Sequence, residues 1–351
     1  MDENITSKTA LPTVSILMLN YNGTPHLKEF FESVFRLNYP ADRYDVVVID
    51  NNSTDGSPDW IAKNYPQVKL VRLDTNTGFA RGNNIGVNYC VGEYVAFVNN
   101  DTILDREWLM ELVKPAINDP DAIYCGKTLS YYKRDYVVYA GAVIFAWGYP
   151  CRLGTYFKDN TGTQENVFTL FPDGCDTLVK KALYQELGGF EERYFCYGED
   201  VELGWKAWLK GYRVYYIPAA RIYHKVRGTL GRSSGLVWYL IWRNQLRNLI
   251  RFSEPANLAL EIPEFMIFTA GFYVAVLCVQ DKQFGVILLL MKSYFEILFE
   301  LPVLIKERAA MQKDRKISDK TMKKLRLILP LKDSIQESFA SLKRRKEYCT
   351  D

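Results

Sequence analysis

Four short stretches of this 351-residue chain carry residue types that could do chemistry. Asp50-Asn-Asn-Ser-Thr-Asp-Gly-Ser57 ends one apolar run, and Asn99-Asn-Asp101 follows another, Tyr94-Val-Ala-Phe-Val98. Gly198-Glu-Asp200 opens a helical pattern, and His224 closes Ala219-Ala-Arg-Ile-Tyr-His224. A carboxylate at a strand end, as Asp101 would be, is placed to hold Mg2+ or Mn2+, hard ions that prefer oxygen and share their shell with phosphates. One carboxylate is a thin metal site, so a second protein ligand is expected. His224 is favoured, because it borders a loop carrying Lys225, Arg227, Gly228 and Gly231 that could close over phosphates. The other histidine, His26, falls in the first turn of a helix and is expected to be exposed and without a role. Asp50 could accept hydrogen bonds from a pyrimidine ring N–H, with Asn52 adding polar contacts. The same eight residues also suit a turn and a helix cap. Glu199 and Asp200 read either as partners of a helix dipole or as a general base within reach of a hydroxyl. Nothing local decides between the two.

Such residues need elements to hold them. Val14–Leu19 reads as a buried strand and Pro25–Phe35 as a helix, with Thr24 as its N-cap. Strands at Tyr44–Asp50, Val68–Leu73 and Tyr94–Asn99 alternate with helices near Pro58–Tyr65 and Ala80–Cys90. Short links between them predict an α/β fold with a Rossmann-like, mostly parallel sheet flanked by helices. Ligands of such sheets bind beyond the carboxyl ends of the strands, where Asn20, Asp50 and Asn99-Asn-Asp101 would meet. The segment Ile123–Lys180 is rich in Tyr and Gly, and extra strands that shape an acceptor side are expected there. A helix at Val201–Lys210 and a strand at Arg213–Ile217, stopped by Pro218, follow.

Beyond Gly235 the composition changes. Leu236–Phe252 reads as an aromatic helix, Phe265–Gln280 is uncharged, and Gln283–Ile305 is apolar but broken by Lys292, Glu296 and Glu300. Neither apolar stretch makes a clear membrane span, and two short helices lying in a membrane interface fit better. From Lys306 onward 14 Lys/Arg face 7 Asp/Glu, a balance of +7 that leaves −4 on the rest. A basic tail behind apolar helices points to an anionic surface; a solvated helix with a frayed end reads equally well. The overall charge of +3 gives no reason to invoke nucleic acid. Seven scattered cysteines without a C-x-x-C pair predict reduced thiols. No apolar run resembling a secretory signal precedes Pro12. The organisation expected is a tail (1–12), a catalytic domain (13–235, halves at about 13–102 and 103–235) and a helical C-terminal region (236–351).

Five pieces in order resemble glycosyltransferase family 2, especially its rhamnosyltransferase-like members with the GT-A fold. They are Val14–Gly23, Val48–Ser57, Asn76-Thr-Gly-Phe-Ala-Arg-Gly-Asn-Asn-Ile-Gly86, Phe97–Thr102 and Gly188–Asp200 continuing to His224. The resemblance implies transfer from a nucleotide-sugar, UDP- or dTDP-linked, by an inverting single displacement. Asp200 would be the general base and Glu199 its support. Asp50 would read the nucleotide base, with Asn20, Asn52, Asn99 and Asn100 around the donor and Arg81 at its diphosphate or sugar. Asp101 and His224 would hold Mg2+ or Mn2+. Asp173, Asp176 and Trp205 would line the sugar and acceptor side. A lipid-linked or surface-glycan acceptor, a peripheral position on the cytoplasmic face of the membrane and homo-oligomers complete the expectation. Two departures stand out: the family's Asp-x-Asp is here Asn99-Asn-Asp101, and Lys206 replaces an arginine common after the Glu-Asp pair. The region beyond Gly235 matches only through Trp242-Arg-Asn244. Three other readings compete. A nucleotidyltransferase would want basic residues in the first loop, which Asn20-Tyr-Asn-Gly23 lacks. A dinucleotide oxidoreductase would want G-x-G-x-x-G there. A silent nucleotide-sugar scaffold would have no need of Asp101, Asp200 and His224 together.

Overall fold

The computed structural model describes residues 11–159, 167–225, 235–273 and 285–350. The first half alternates β1 (Val14–Asn20), α1 (Thr24–Val34), β2 (Tyr44–Asp50), α2 (Ser57–Asn64), β3 (Lys69–Arg72), α3 (Gly78–Val87) and β4 (Tyr94–Asn99). These four strands are parallel, in the order β3-β2-β1-β4. The residues of β1, β2 and β4 are largely apolar on both faces because helices cover both, whereas β3 at the edge is partly exposed. Leu17, Val47, Ile49, Val95 and Phe97 join one core. Their alternates Ile16, Met18, Val46, Val48 and Val98 join a second core with α1 residues Phe30 and Phe31, as the two-residue period of a strand requires.

The second half departs from the parallel expectation. It contains β5 (Thr102–Leu104), α4 (Trp108–Asn118), β6 (Ala122–Ser130), β7 (Val137–Tyr139), β8 (Ala142–Ile144), β9 (Pro150–Arg152), β10 (Val167–Phe168) and β11 (Asp176–Lys180). Then come α5 (Lys181–Glu186), α6 (Glu199–Leu209) and β12 (Arg213–His224). β11 runs antiparallel to both β4 and β6, while β12 runs parallel to β6 and antiparallel to β5. The sheet is therefore mixed. Pro218 does not stop β12; the strand continues to His224 across a register shift between Tyr216 and Arg221, an irregularity that accommodates a residue with no N–H.

Among the described residues five α-helices follow, α7 (Gly235–Phe252), α8 (Pro255–Phe265), α9 (Gly285–Lys313), α10 (Asp319–Lys324) and α11 (Leu331–Thr350), with a π-helical segment, Met266–Tyr273, continuing α8. The second apolar stretch is not a short helix but part of the 29-residue α9, packed along α7. Among the described residues no helix is long and apolar enough to cross a membrane. The basic C-terminus folds back instead of trailing away. On α11, Tyr348 packs against Tyr136 and Tyr156. Lys133 Nζ donates to its carbonyl at 2.7 Å, and buried Arg344 lies over the Phe157 ring. The free cysteines described are Cys90, Cys125, Cys151, Cys175 and Cys196.

Candidate active site

In-register pairing sets the floor of a crevice. Asn20 is opposite Asp50, and Leu19 is opposite Asn99, so β1, β2 and β4 end side by side. Asn20, fully buried, donates to Asp50 Oδ1 (2.9 Å) and Ser57 Oγ (2.8 Å) and accepts from Asn100 Nδ2 (3.1 Å). The second Asp50 oxygen accepts from the Ser53 amide at 3.1 Å. Asn52 is exposed in the left-handed region, with φ of 65°. Asn51, absent from the sequence-based list, is buried and ties this loop to the next. Its Nδ2 donates to Asn76 Oδ1 and the Gly78 carbonyl, and its Oδ1 accepts from the Thr77 amide and hydroxyl. Arg81, on α3, is 60% exposed and lies 3.7 Å from Glu192.

The antiparallel β5–β12 pair puts His224 opposite Thr102. That register brings His224 Nε2 to 3.1 Å from Asp101 Oδ1, and the Lys225 amide donates to the Asp101 carbonyl at 3.0 Å. Burial opposes the charged imidazole, but the Asp101 carboxylate outweighs it and raises the His224 pKa. Burial likewise opposes the Asp101 charge, and His224 holds its pKa below the ordinary value. His224 Nδ1 lies 3.6 Å from Cys175 Sγ. Beyond Lys225, the loop expected to close over phosphates lies outside the described residues. His26 is not exposed as expected. It is partly buried, its Nδ1 has no partner, and burial lowers its pKa within the fields of Asp101, Lys225, Glu29 and His224. Its position at the first turn of α1 aims it at the same strand ends, a consequence of the β1–α1 turn.

Glu199 and Asp200 begin α6 behind Gly198, whose φ of 94° suits a residue without a Cβ. The loop before them is held from the C-terminal helices. Asn244 on α7 donates to the carbonyls of Tyr194, Cys196 and Tyr197, and Arg247 donates to that of Arg193. The Phe195 carbonyl in turn accepts from the Phe79 and Ala80 amides at 2.6 and 3.2 Å. It thus caps the start of α3 and joins the Glu-Asp loop to the Asn76–Gly86 segment, so closely that a Cβ on Gly78 would collide with Phe195. Asn244 belongs to the only piece of the C-terminal region that matched, and its role is invisible without the tertiary contact.

Glu199 and Asp200 are 6% and 7% exposed. Burial, with Asp200 beside it, pushes the Glu199 pKa up to about 8, and its Oε2 has no hydrogen-bond partner. Burial also raises that of Asp200, against the opposing charge of Arg152. Asp173 is buried nearby, accepting from Thr128 Oγ1 at 2.8 Å. Asp176 sits deeper, on β11. Trp108 Nε1 donates to it at 2.7 Å, and burial pushes its pKa up to about 8. Trp205 does not line the acceptor side. It is 1% exposed, in the core between α6 and α7, with its ring 5.7 Å from Phe252. Lys206 is buried too, pairing with Glu202 at 3.0 Å and donating to the Gly189 carbonyl.

The geometry agrees with comparison to known proteins. The model of "Glycosyl transferase family 2" matches residues 15–186. The N-acetylglucosaminyl-diphospho-decaprenol L-rhamnosyltransferase of Mycobacterium tuberculosis is 28% identical over 247 residues, 63% of this chain and 78% of that protein. A mannosyltransferase of Pyrobaculum calidifontis, solved with GDP-Man and Mn2+, superposes with a TM-score of 0.52 at 18% identity, covering 88% of this chain and 87% of that one. GalNAc-T7, solved with UDP, GalNAc and Mn2+, gives a TM-score of 0.57 at 18% identity over 70% of this chain; the match spans about half of that protein, 49%. These likenesses show the GT-A architecture. Residues 15–186 belong to glycosyltransferase family 2, and the chain is a glycosyltransferase.

Proposed function

We propose that this protein transfers a sugar from a UDP- or dTDP-linked donor to a hydroxyl of a lipid-linked or surface-glycan acceptor, with inversion in a single displacement. The observation that carries this reading is the meeting of Asp50, the Asp101–His224 pair and Asp200 at one edge of the sheet. Asp50 takes the base of the nucleotide, with Asn20 and Asn100 fixing its carboxylate and the neighbouring strand end. Asp200 accepts the proton of the acceptor hydroxyl as its oxygen bonds to the anomeric carbon. The bond from that carbon to the diphosphate breaks, and the nucleoside diphosphate leaves. Glu199 keeps the local field that makes Asp200 basic.

A divalent cation suits the donor set. Asp101 supplies an oxygen and His224 a nitrogen, and the unpartnered His26 Nδ1 lies in the same field. No cluster of three or more such ligands is present among the described residues, which leaves the remaining positions to diphosphate oxygens and water. Bound there, Mg2+ or Mn2+ would supply positive charge to the departing diphosphate.

The acceptor reading is supported by α9. Its outward residues Leu288, Met291, Phe295, Leu298 and Phe299 are 48–84% exposed, and they recur at helical spacing along one face. The acids of α9 turn the other way: Glu300 pairs with Arg247, and Glu307 with Arg193 and Arg251. Lys292 and Lys306 stay exposed. An apolar stripe with lysines beside it is the surface expected of a helix lying in an anionic interface, in keeping with a peripheral position on the cytoplasmic face.

The test is thermal shift against a panel of nucleoside diphosphates and nucleotide-sugars, with and without Mn2+. Metal-dependent stabilisation by one pyrimidine donor is expected, and it should weaken in both Asp101→Ala and His224→Ala. Stabilisation by no donor, in folded protein, would favour the silent scaffold.

A further inference from the structure

Arg152 ends β9, inside the segment without a readable period, and no motif includes it. Its Nη2 lies 3.2 Å from Asp173 Oδ1 and 3.5 Å from Asp200 Oδ2. Both carboxylates are buried, at 1% and 7% exposure, while the arginine side chain is 41% exposed and borders solvent. Among the described residues the charged groups facing Asp200 come from three places: Arg152 on β9, Asp173 ahead of β11 and Glu199 on α6 itself. From the other described elements packed there come neutral groups: Asn244 and Asn248 of α7, packed on Gly198, and Phe79 of α3, beside Gly174. Three carboxyl groups crowd one poorly solvated corner, and burial beside like charges favours the neutral forms of Asp200 and Glu199. A neutral Asp200 accepts no proton. Arg152 is the one cation that the described residues bring against it.

We propose that Arg152 is the positioning residue of the base: its guanidinium, shared between Asp173 and Asp200, supplies the counter-charge that keeps Asp200 ionised and aimed into the crevice. The inference rests on the reading of Asp200 as the base. The planar fork matters, because one guanidinium can engage two carboxylates at once, which an ammonium on a flexible stem does less well. Asp173 then acts as a brake. It holds the nearer share of the same guanidinium and adds a like charge beside Asp200.

Full-length protein with 13C-labelled aspartate carboxyls reads the proton directly, the Asp200 resonance being the one lost in Asp200→Asn. Arg152→Gln is expected to move the Asp200 midpoint up by about one pH unit or more. Arg152→Lys should recover most of that shift, and Asp173→Asn should move the midpoint down. The acid limb of UDP release from UDP-N-acetylglucosamine or dTDP release from dTDP-rhamnose, by transfer to water, should follow the same order. A merely structural arginine would lower turnover at every pH and leave the midpoint in place, and that result overturns the proposal. If Arg152→Gln does not fold, an Asp173→Asn midpoint that stays or rises overturns it equally. Shifts as expected with full turnover in Asp200→Asn would sink the reading of Asp200 as base, and leave the charge coupling standing.

Discussion

The two edges of the crevice are built on opposite plans. On the donor edge the polar groups are neutral or fully engaged: Asn20, Asp50 and Asn51 exchange hydrogen bonds among themselves and with Ser53, Ser57, Asn76 and Thr77. On the acceptor edge of the proposed site four carboxyl groups are buried, and two of them, Glu199 and Asp176, each have an oxygen without a partner. Glu199 has an oxygen with none, Asp176 has one indole, and Asp173 and Asp200 share an arginine. A satisfied network is rigid and holds its shape before the ligand arrives. Burial raises the pKa values of Glu199, Asp200 and Asp176, which is what proton transfer near neutral pH asks of a base. Under the proposed function, this contrast would separate recognition from chemistry within one site.

The strongest test of that separation is Asp200→Asn. It should cut transfer by about 10²–10⁴-fold while thermal shift shows donor binding unchanged; a large loss of donor binding would mean that the two edges are not separate. Asn51→Ala works on the other edge. It removes four hydrogen bonds to the Asn76–Gly78 turn, a cost of about 2–3 kcal/mol of stability in denaturant melts. Donor affinity should fall with it, while the pH dependence of turnover stays in place.

The smallest effect sharpens the electrostatic side. A carboxyl whose folded-state pKa lies above its unfolded value favours the folded state most at low pH. That contribution disappears as pH rises, for Asp176 between about 4 and about 8. Asp176→Asn should therefore match the parent near pH 4 and become progressively more stable than it towards pH 8. A constant difference across that range would show that Asp176 is ionised throughout. Asn244→Ala bridges the comparison: it releases three carbonyls of the loop that carries Glu199 and Asp200. Turnover should fall more than donor binding, as measured by kcat against the donor's dissociation constant.

How much was legible follows from how local each signal is. β1, β2 and β4 were read from apolar runs, because a strand buried on both faces must be largely apolar; the partly exposed β3 instead mixes apolar with charged residues, Lys69-Leu-Val-Arg72. The residues ending them follow immediately in sequence, so Asn20, Asp50 and Asp101 could be placed without tertiary knowledge. Trp205 was misplaced because a helix turns about 100° per residue. Five positions beyond Asp200, it faces away into the core with Phe252. His26 was misread as exposed because the covering groups, Lys225 and His224, arrive from the far end of β12. The parallel order could not be extended past β4, since short irregular strands carry no period that fixes direction.

The sequence by itself determined the class of fold, the family and the residues at the ends of consecutive strands, because each depends on a contiguous pattern of side chains. Only the tertiary structure decided which distant groups face those residues. The β5–β12 register sets His224 against Asp101, α7 holds the loop ahead of Asp200 through Asn244, and β9 delivers Arg152 between two aspartates. The physical reason is that the charge state and direction of a buried carboxylate depend on whatever lies within a few ångströms. In this chain those neighbours come from strands and helices tens of residues away.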